Sequence, residues 1–461
     1  MGSRLFRLLL AACVAAAQVA ATTAWAQNLP LIRDSEIEDT IRGWADPLFV
    51  AAGLNPADIR ILLVNDEALN AFVAGGQNLF IHTGLLTATD FPGQLIGVIA
   101  HETGHIAGGH LARAGDAIRE AQNLGLFATL LGIGLIAVGA ASGAATARAG
   151  GAVIAGGQSV GLRTFLAYTR AQESAADQAA LNYLDRTKQS AAGLLSFLER
   201  LQDQELLVTS RQDPYVRTHP LSRDRIEHIA EHVRASRWTS QAASEAEMER
   251  HARMKAKLIG YLERPQRVMK SFYPETDTSL AARYARAVAY LRLPDRDKAL
   301  AEVDSLIAER PDDPYFVELK GQIMFEHAKL REAVTYYQQA VNMRPDDPLL
   351  LTGLGQAQVE TGDASLVAPA IENLERANRR DHDNPSTWRL LATAYHQVGD
   401  VGASSLAAGE YALLIGQVEN ASVHAGRAER EYAEGTPGWL RAQDIKTEAE
   451  QLKALQERRE R

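Results

Sequence analysis

Cysteine is almost absent from this sequence, which has one, Cys13, among its 461 residues. A single cysteine excludes a framework of intramolecular disulfides and a zinc site built from several thiolates. Positive charge is also in the minority, because 48 Lys and Arg face 57 Asp and Glu and leave a formal net charge of -9. This balance argues against a general nucleic-acid-binding protein, so no nucleic acid is expected as a partner.

Long apolar runs are scarce as well. Residues 124–143 are apolar over enough length to cross a bilayer, but they include five glycines, and no second convincing span follows in the mature chain. We therefore expect residues 124–157 to form a helical hairpin that packs over its own domain as a mobile lid or makes peripheral contact with a membrane surface. A true membrane span is the alternative, and a protease embedded in the membrane is disfavoured.

The N-terminal residues have the three parts of an export signal. Two arginines lie within the first seven residues, residues 8–21 are apolar, and residues 24–26 read Ala-Trp-Ala, a cleavage site of the small-x-small type. We expect residues 1–26 to be removed as a signal peptide and the mature chain to be periplasmic, either soluble or peripherally membrane-associated. The alternative is a lipid anchor on Cys13, because the preceding Leu-Ala-Ala resembles a lipoprotein signal box.

The chain is too long for one ordinary core, so two or three domains are expected. Its pattern predicts a mainly helical α+β fold with a helical segment at 28–58, a strand at 58–64 and a glycine-turned hairpin at 70–82. Prolines interrupt the helical pattern further on. We place a first domain at 27–265 and a linker at 266–278.

The C-terminal part contains a repeat. The tripeptide Asp-Asp-Pro at 312–314 recurs 34 residues later at 346–348. This is the period of tetratricopeptide repeats, in which helix pairs bury their faces by stacking into a solenoid. We expect about four such repeats at 279–425 and a charged helical cap at 426–461. A non-repetitive helical bundle is the alternative.

The motif H-E-x-x-H lies on a helix that we expect to begin near Pro92. His101 and His105 are four residues apart, so their imidazoles project from one helix face and can converge on one ion, while Glu102 can reach a water on that ion. The preceding residues 95–100 are apolar, and burying these polar side chains beside them is costly without compensation. One Zn²⁺ per chain is the simplest compensation.

The third metal ligand must come from elsewhere in the chain. His110 is close in sequence, but the metzincin spacing requires a histidine at 111, and an offset of one residue turns the side chain about 100° around a helix. Glu173 is the better candidate, with Asp177 one helical turn later in position to orient a ligand histidine. The alternative is that Glu173 and Asp177 belong to an ordinary solvated helix face.

These residues predict hydrolysis of a peptide bond. Bound zinc lowers the pKa of its water and polarises a carbonyl, and Glu102 takes the proton of that water and passes it to the leaving amine. His219 or Arg225 is expected to stabilise the oxyanion. Alternatively, neutral His219 occupies the fourth zinc position in a resting state, or the Thr-His-Pro sequence around it is only a turn before a helix.

The hairpin offers an edge for substrate. An extended peptide can pair with it as an extra strand along Asn70, Phe72 and Gly76, with little dependence on side-chain identity. Such pairing suits a protease that recognises unfolded chains.

The order of these motifs resembles that of HtpX/Ste24-type zinc metalloproteases. The motifs concerned are Asn70-Ala71-Phe72, Gly75-Gly76, Thr83-Gly84-Leu85-Leu86, the H-E-x-x-H motif, Glu173 with Asp177, and Thr218-His219-Pro220 followed by Arg225. The resemblance implies a gluzincin-type domain with zinc on His101, His105 and Glu173, catalysis by Glu102, regulation by His219 and a flexible plug in the glycine-rich segment.

The same resemblance implies a role in quality control. Relatives with C-terminal repeats degrade stalled or misfolded outer-membrane proteins and assist their assembly in a chaperone-like way, with the repeats docked on the β-barrel assembly machinery. The alternative function is a non-proteolytic chaperone or adaptor with a latched or vestigial zinc site. The sequence favours the protease, because every required ligand type and Glu102 are present.

Overall fold

The computed structural model describes residues 30–110, 169–202, 215 and 218–459. The expected signal peptide, Cys13 and the apolar segment 124–157 lie outside these residues. The chain divides into two compact units. We call Pro30–Ile32 with Thr40–His251 the sheet unit, and Arg33–Asp39 with the chain from Ala252 onward the helical unit.

The sheet unit contains a small mixed sheet. Its strands are β1 (Leu31–Ile32), β2 (Arg60–Val64), β3 (Ala71–Ala74) and β4 (Asn78–His82), in the order β1-β2-β4-β3. Strands β2 and β4 are parallel, and the other two pairs are antiparallel. The predicted hairpin is confirmed as β3 and β4, and β3 lies at the edge of the sheet.

Two glycines turn this hairpin. Gly75 and Gly76 have φ angles of 59° and 95°, which residues with a side chain rarely adopt. The strand expected at 58–64 begins two residues later, because Pro56–Asp58 forms a 3₁₀ turn capped by Asn55. The helical segment expected at 28–58 is shorter in the structure, where it covers Ser35–Ala51, because Leu31 and Ile32 pair with β2.

Seven helices accompany the sheet in the described part of this region. They are α1 (Ser35–Ala51), α2 (Thr83–Ala88), α3 (Pro92–Ala107), α4 (residues 169–186), α5 (Ala192–Leu201), α6 (Arg223–Ala235) and α7 (Glu245–Leu262). Helix α3 begins at the expected Pro92, and most of its residues are buried. Helices α1 and α7 each contribute residues to both units.

Glycines allow the neighbours of α3 to approach closely. A Cβ atom on Gly193 of α5 would lie 2.2 Å from the carbonyl oxygen of Gly93, and a Cβ on Gly97 would lie 2.6 Å from Leu194. On the side of α4, a Cβ on Gly104 would lie 2.7 Å from the carbonyl oxygen of Ala176. Real Cβ atoms do not approach other atoms this closely, so these positions require glycine.

Beyond the short helix Pro265–Arg267, the helical unit is a succession of ten longer helices within the described residues. They are α8 (Leu280–Arg292), α9 (Arg296–Glu309), α10 (Pro314–Glu326), α11 (Leu330–Met343), α12 (Pro348–Glu360), α13 (Ala364–Arg380), α14 (Pro385–Gln397), α15 (Val401–Leu414), α16 (Val418–Glu431) and α17 (Pro437–Arg459). No helix in the described ranges of the chain combines the length and the apolar character needed to span a membrane.

The recurring Asp-Pro dipeptide is a helix start. Asp313 and Asp347 cap α10 and α12 by accepting backbone N–H groups, and a proline occupies the first position of each helix. Residues at the expected repeat positions, such as Ala333, Tyr337 and Ala340 in α11, are buried. This arrangement of helices is compatible with the expected solenoid.

The expected linker is folded. Residues 266–278 include a π-helical turn, Val268–Phe272, whose Val268 is fully buried against Ala256 and Ala285. The division between the compact units lies at His251 and Ala252 instead. Pro265 begins a short helix, Pro265–Arg267, and the chain from there to Pro274 belongs to the helical unit.

Residues Arg33–Asp39, which include the first turn of α1, also belong to the helical unit. Within Arg33–Asp39, Arg33 Nη1 lies 2.7 Å from Asp381, and Asp39 lies 2.8 Å from Arg344. Glu36 is buried and accepts a hydrogen bond from the hydroxyl of Tyr284 at 2.5 Å. These pairs join residues hundreds of positions apart in the sequence and fix the N-terminal end of α1 within the helical unit.

Candidate metal centre

Helix α3 supplies two histidines and a carboxylate. His101 and Glu102 are fully buried, and His105 is partly buried. Because the histidines are one helical turn apart, their Nε2 atoms lie only 3.1 Å from each other. The structure therefore brings these three predicted site residues together.

Helix α4 supplies Glu173, as expected. Its Oε2 lies 3.3 Å from Nε2 of His101, and its Oε1 lies 3.4 Å from Nε2 of His105. The close approach of α3 and α4 at Gly104 and Ala176 makes these distances possible. Sequence reasoning missed Gly104, although a glycine inside the H-E-x-x-H motif was visible.

His219 completes a four-membered group. Its Nδ1 lies 3.3 Å from both Nε2 of His101 and Oε2 of Glu173, and the ligand atoms of His101, His105, Glu173 and His219 all lie within 4.8 Å of one another. Tetrahedral bonds of about 2.0–2.1 Å to zinc place ligand atoms roughly 3.3–3.4 Å apart. The closest distances in this group match that spacing.

The donor set fits a metal ion chemically. Oε2 of Glu173 is buried and has no hydrogen-bond partner among the described residues. The Nη1 atom of Arg225 lies 3.0 Å from it, without the geometry of a hydrogen bond. A buried carboxylate oxygen in this state is costly unless a cation binds it. Three imidazoles and one carboxylate are typical zinc ligands.

The Nδ1 atom of each α3 histidine contacts a further polar side chain. Nδ1 of His101 lies 2.9 Å from Oδ1 of Asp177, and Nδ1 of His105 lies 3.0 Å from Nδ1 of His110. Such contacts fix the ring orientation and leave Nε2 facing the metal position. His110 is thus outside the four-membered group, and sequence reasoning missed its contact with His105.

Arg225 contacts the acidic residues of α4. Its Nε and Nη2 donate to the two oxygens of Asp177 at 2.6 and 2.9 Å, and its Nη1 donates to the carbonyl of Pro220 at 2.8 Å. Ser222 caps α6 and places Arg225 in the first turn. The guanidinium of Arg225 is therefore engaged in holding Asp177. This favours a positioning role for Arg225 over the expected stabilisation of the oxyanion.

Burial and hydrogen bonds shift the pKa values of the residues in the site. Burial lowers the pKa of His101, but the hydrogen bonds with Asp177 and Glu173 outweigh it and raise that pKa to about 10. Burial opposes ionisation of Glu173, yet its histidine partners bring its pKa below the ordinary value. Burial lowers the pKa of His105 to about 3 and raises that of Glu102.

Metal binding should therefore displace a proton from His101. Its raised pKa means that the metal-free site carries this proton near neutral pH and loses it only as the pH rises toward about 10. We expect zinc binding at pH 7.5 to release about one proton per ion and to weaken as the pH falls. Calorimetric titration in buffers of different ionisation enthalpy measures this release. Binding heats that do not depend on the buffer would contradict it.

The edge strand reaches this site through Ala71. Nε2 of His219 lies 3.2 Å from the carbonyl oxygen of Ala71, the first residue of β3. Of the three edge residues expected from sequence, Asn70 accepts a hydrogen bond from Thr218, Phe72 stacks on Phe80 at 5.0 Å, and Gly76 lies in the hairpin turn. Sequence reasoning missed Ala71 because its side chain carries no chemistry.

Comparison with known proteins places the site in a matched region. Residues 32–233, which include all the residues of the site, match the model of Peptidase family M48. The beta-barrel assembly-enhancing protease of Yersinia pestis is 27% identical over 370 residues, covering 80% of this chain and 74% of its own. Its counterpart in Escherichia coli (strain K12) is 25% identical over 437 residues, covering 94% and 86%. A putative beta-barrel assembly-enhancing protease of Vibrio cholerae is 26% identical over 395 residues, covering 84% and 78%.

Proposed function

We propose that this metalloprotease, whose residues 32–233 form a Peptidase family M48 domain, is a zinc-dependent endopeptidase that degrades unfolded outer-membrane proteins in the periplasm. The observation that carries the proposal is the group of four clustered ligand atoms, three of them on buried residues, next to Glu102. The carboxylate of Glu102 has no hydrogen bond within the described residues. The names of the relatives support the class of substrate.

His101, His105 and Glu173 would hold the zinc. The ion supplies an acidified water and an electrophile that polarises the scissile carbonyl. Glu102 then acts as the general base, since both of its carboxylate oxygens are buried without a hydrogen-bond partner among the described residues. Burial raises the pKa of Glu102, which makes it a better proton acceptor and lets it pass the proton to the leaving amine.

We assign His219 to a latch. Its Nδ1 stands at the fourth corner of the ligand group, where a hydrolytic zinc site needs water. Its Nε2 lies next to the Ala71 carbonyl, which an extended substrate would need for pairing with β3. Movement of this one side chain would therefore free both the water position and the edge strand.

The latch is tested by His219→Ala. We expect cleavage of reduced casein and of an unfolded outer-membrane protein to rise roughly tenfold, the effect of removing a closed state favoured by about 1.4 kcal/mol. The control is His228→Ala, an exposed histidine of α6 that bonds to Gln178, and it should cleave at the wild-type rate. Lower activity of His219→Ala with zinc retained would assign His219 to transition-state support instead.

The helical unit would act on clients and partners. We propose that its helix pairs are tetratricopeptide repeats that dock on the β-barrel assembly machinery and assist client assembly in a chaperone-like way. We also propose export by the N-terminal signal and peripheral membrane contact through residues 124–157. A lipid anchor on Cys13 is the alternative to removal of residues 1–26.

A latched, non-proteolytic adaptor is the second candidate, because His219 closes the ligand group. It predicts that wild-type protein with bound zinc assists assembly yet cleaves no client, and that His219→Ala does not release cleavage. The protease hypothesis predicts cleavage in both proteins.

A further inference from the structure

Tyr215 has a buried hydroxyl without a hydrogen bond. Its side chain is 0% exposed, and the hydroxyl has no partner among the described residues. Burying a hydroxyl in this way costs about 1–3 kcal/mol relative to a hydrogen-bonded one. Phenylalanine would fill the same space without that cost. The hydroxyl is therefore expected to form a hydrogen bond in a state other than the resting one.

The position of Tyr215 is tied to the metal centre. Its ring lies 4.8 Å from that of His219, and its carbonyl accepts the backbone N–H of His219 at 2.8 Å. Its own anchors are different: its ring packs edge-on against Phe197 of α5, and its N–H donates to the carbonyl of Leu69 just before β3. Tyr215 is thus held independently of the His219 side chain.

Tyr215 and Glu102 flank the same histidine. The ring of Tyr215 lies against the ring of His219, and Oε1 of Glu102 lies 3.3 Å from Nε2 of His219. A phenol carries its proton at neutral pH, so the Tyr215 hydroxyl is a hydrogen-bond donor. Both oxygens of Glu102 are also buried without hydrogen bonds among the described residues. Unsatisfied groups on both residues are what a position reserved for substrate requires.

The other donors of the site are engaged. Arg225 donates to Asp177 and to the Pro220 carbonyl, and His219 lies against the ligand group and the Ala71 carbonyl. The reaction nevertheless needs a donor to the carbonyl oxygen, because that oxygen becomes negative when water adds to the carbon.

We propose that Tyr215 is a catalytic residue that donates this hydrogen bond. Water adds to the carbonyl carbon, the carbonyl electron pair moves to the oxygen held by the Tyr215 hydroxyl, and Glu102 takes the water proton. The oxygen then re-forms the double bond as the C–N bond breaks, and Glu102 gives the proton to the departing amine. Tyr215 keeps its own proton throughout. This inference rests on the proposed peptidase function.

Tyr215→Phe tests the assignment. We expect kcat on a fluorogenic peptide to fall about 10²- to 10³-fold, with KM within about threefold, zinc content unchanged and the unfolding temperature equal or higher. The affinity for a phosphinic peptide, which mimics the tetrahedral state, should fall by a similar factor. The matched control is Tyr315→Phe, which removes another buried hydroxyl without a hydrogen bond, in the helical unit, and should leave cleavage unchanged.

Each outcome has one meaning. Wild-type cleavage by Tyr215→Phe overturns the inference and leaves the proposed function intact, as does unchanged affinity for the phosphinic peptide. Loss of cleavage together with zinc or with thermal stability overturns it in favour of a packing role. Absence of cleavage by the zinc-loaded wild type and by His219→Ala overturns the proposed function itself.

Discussion

Replacement of Glu102 by Gln is expected to lower kcat/KM on unfolded protein by about 10²- to 10⁴-fold without loss of zinc. Glutamine keeps the size of the side chain but cannot accept the proton of the attacking water. Glu102 is fully buried and lies outside the group of metal ligands, so the ion should stay bound. Zinc content by mass spectrometry and initial rates of peptide cleavage measure the two halves of this expectation.

The control for Glu102 is a carboxylate that does not face the site. Glu227 is exposed on α6, and Glu227→Gln should cleave at the wild-type rate. If Glu102→Gln kept more than a tenth of the activity at full zinc occupancy, another group would have to be the base. If it lost the ion as well, the carboxylate would be needed for the site's structure.

Substitution of Gly104 by Val is expected to weaken zinc binding by about 10- to 100-fold. A Cβ at this position would lie 2.7 Å from the carbonyl oxygen of Ala176, so α3 and α4 would have to separate. Glu173, one turn before Ala176, would then move away from the two histidines. We also expect a loss of about 1–3 kcal/mol in the free energy of unfolding. Competition with a chelator of known affinity measures the zinc affinity.

A glycine in open space provides the comparison. A Cβ added to Gly426 in α16 would meet no atom within 4 Å beyond its chain neighbours and the backbone of its own helix. Gly426→Ala should therefore be neutral or stabilise by up to about 1 kcal/mol. Gly104→Ala should weaken zinc binding less than Gly104→Val, because the helices need to part by a smaller distance. Equal zinc affinity in wild type and Gly104→Val would contradict the packing argument.

Local patterns predicted much of the site. The spacing of His101 and His105 is a helical repeat, and the same holds for Glu173 and Asp177, so each pair could be read from a single turn. The structure brings all four residues together. The hairpin of β3 and β4 was also predictable, because its glycines lie between two short apolar runs.

Other features depend on contacts between distant residues. The need for glycine at 104 is explained only by the nearby backbone of Ala176, and the role of His110 only by the ring of His105. The role of Tyr215 is explained only by its burial against His219. No sequence period encodes such contacts. The same reason explains why Arg33–Asp39 was expected in the first domain, although its charged side chains pair with residues of the helical unit.

The zinc coordination of the purified protein tests the central claim most directly. X-ray absorption at the zinc edge counts imidazole ligands through scattering from their outer ring atoms and gives the total number of oxygen and nitrogen ligands. We predict one zinc per chain with three imidazoles and one carboxylate in the wild type, and with two imidazoles, one carboxylate and a water in His219→Ala. A wild-type spectrum with only two imidazoles, or one that His219→Ala does not change, would contradict the assignment of His219 as the fourth ligand.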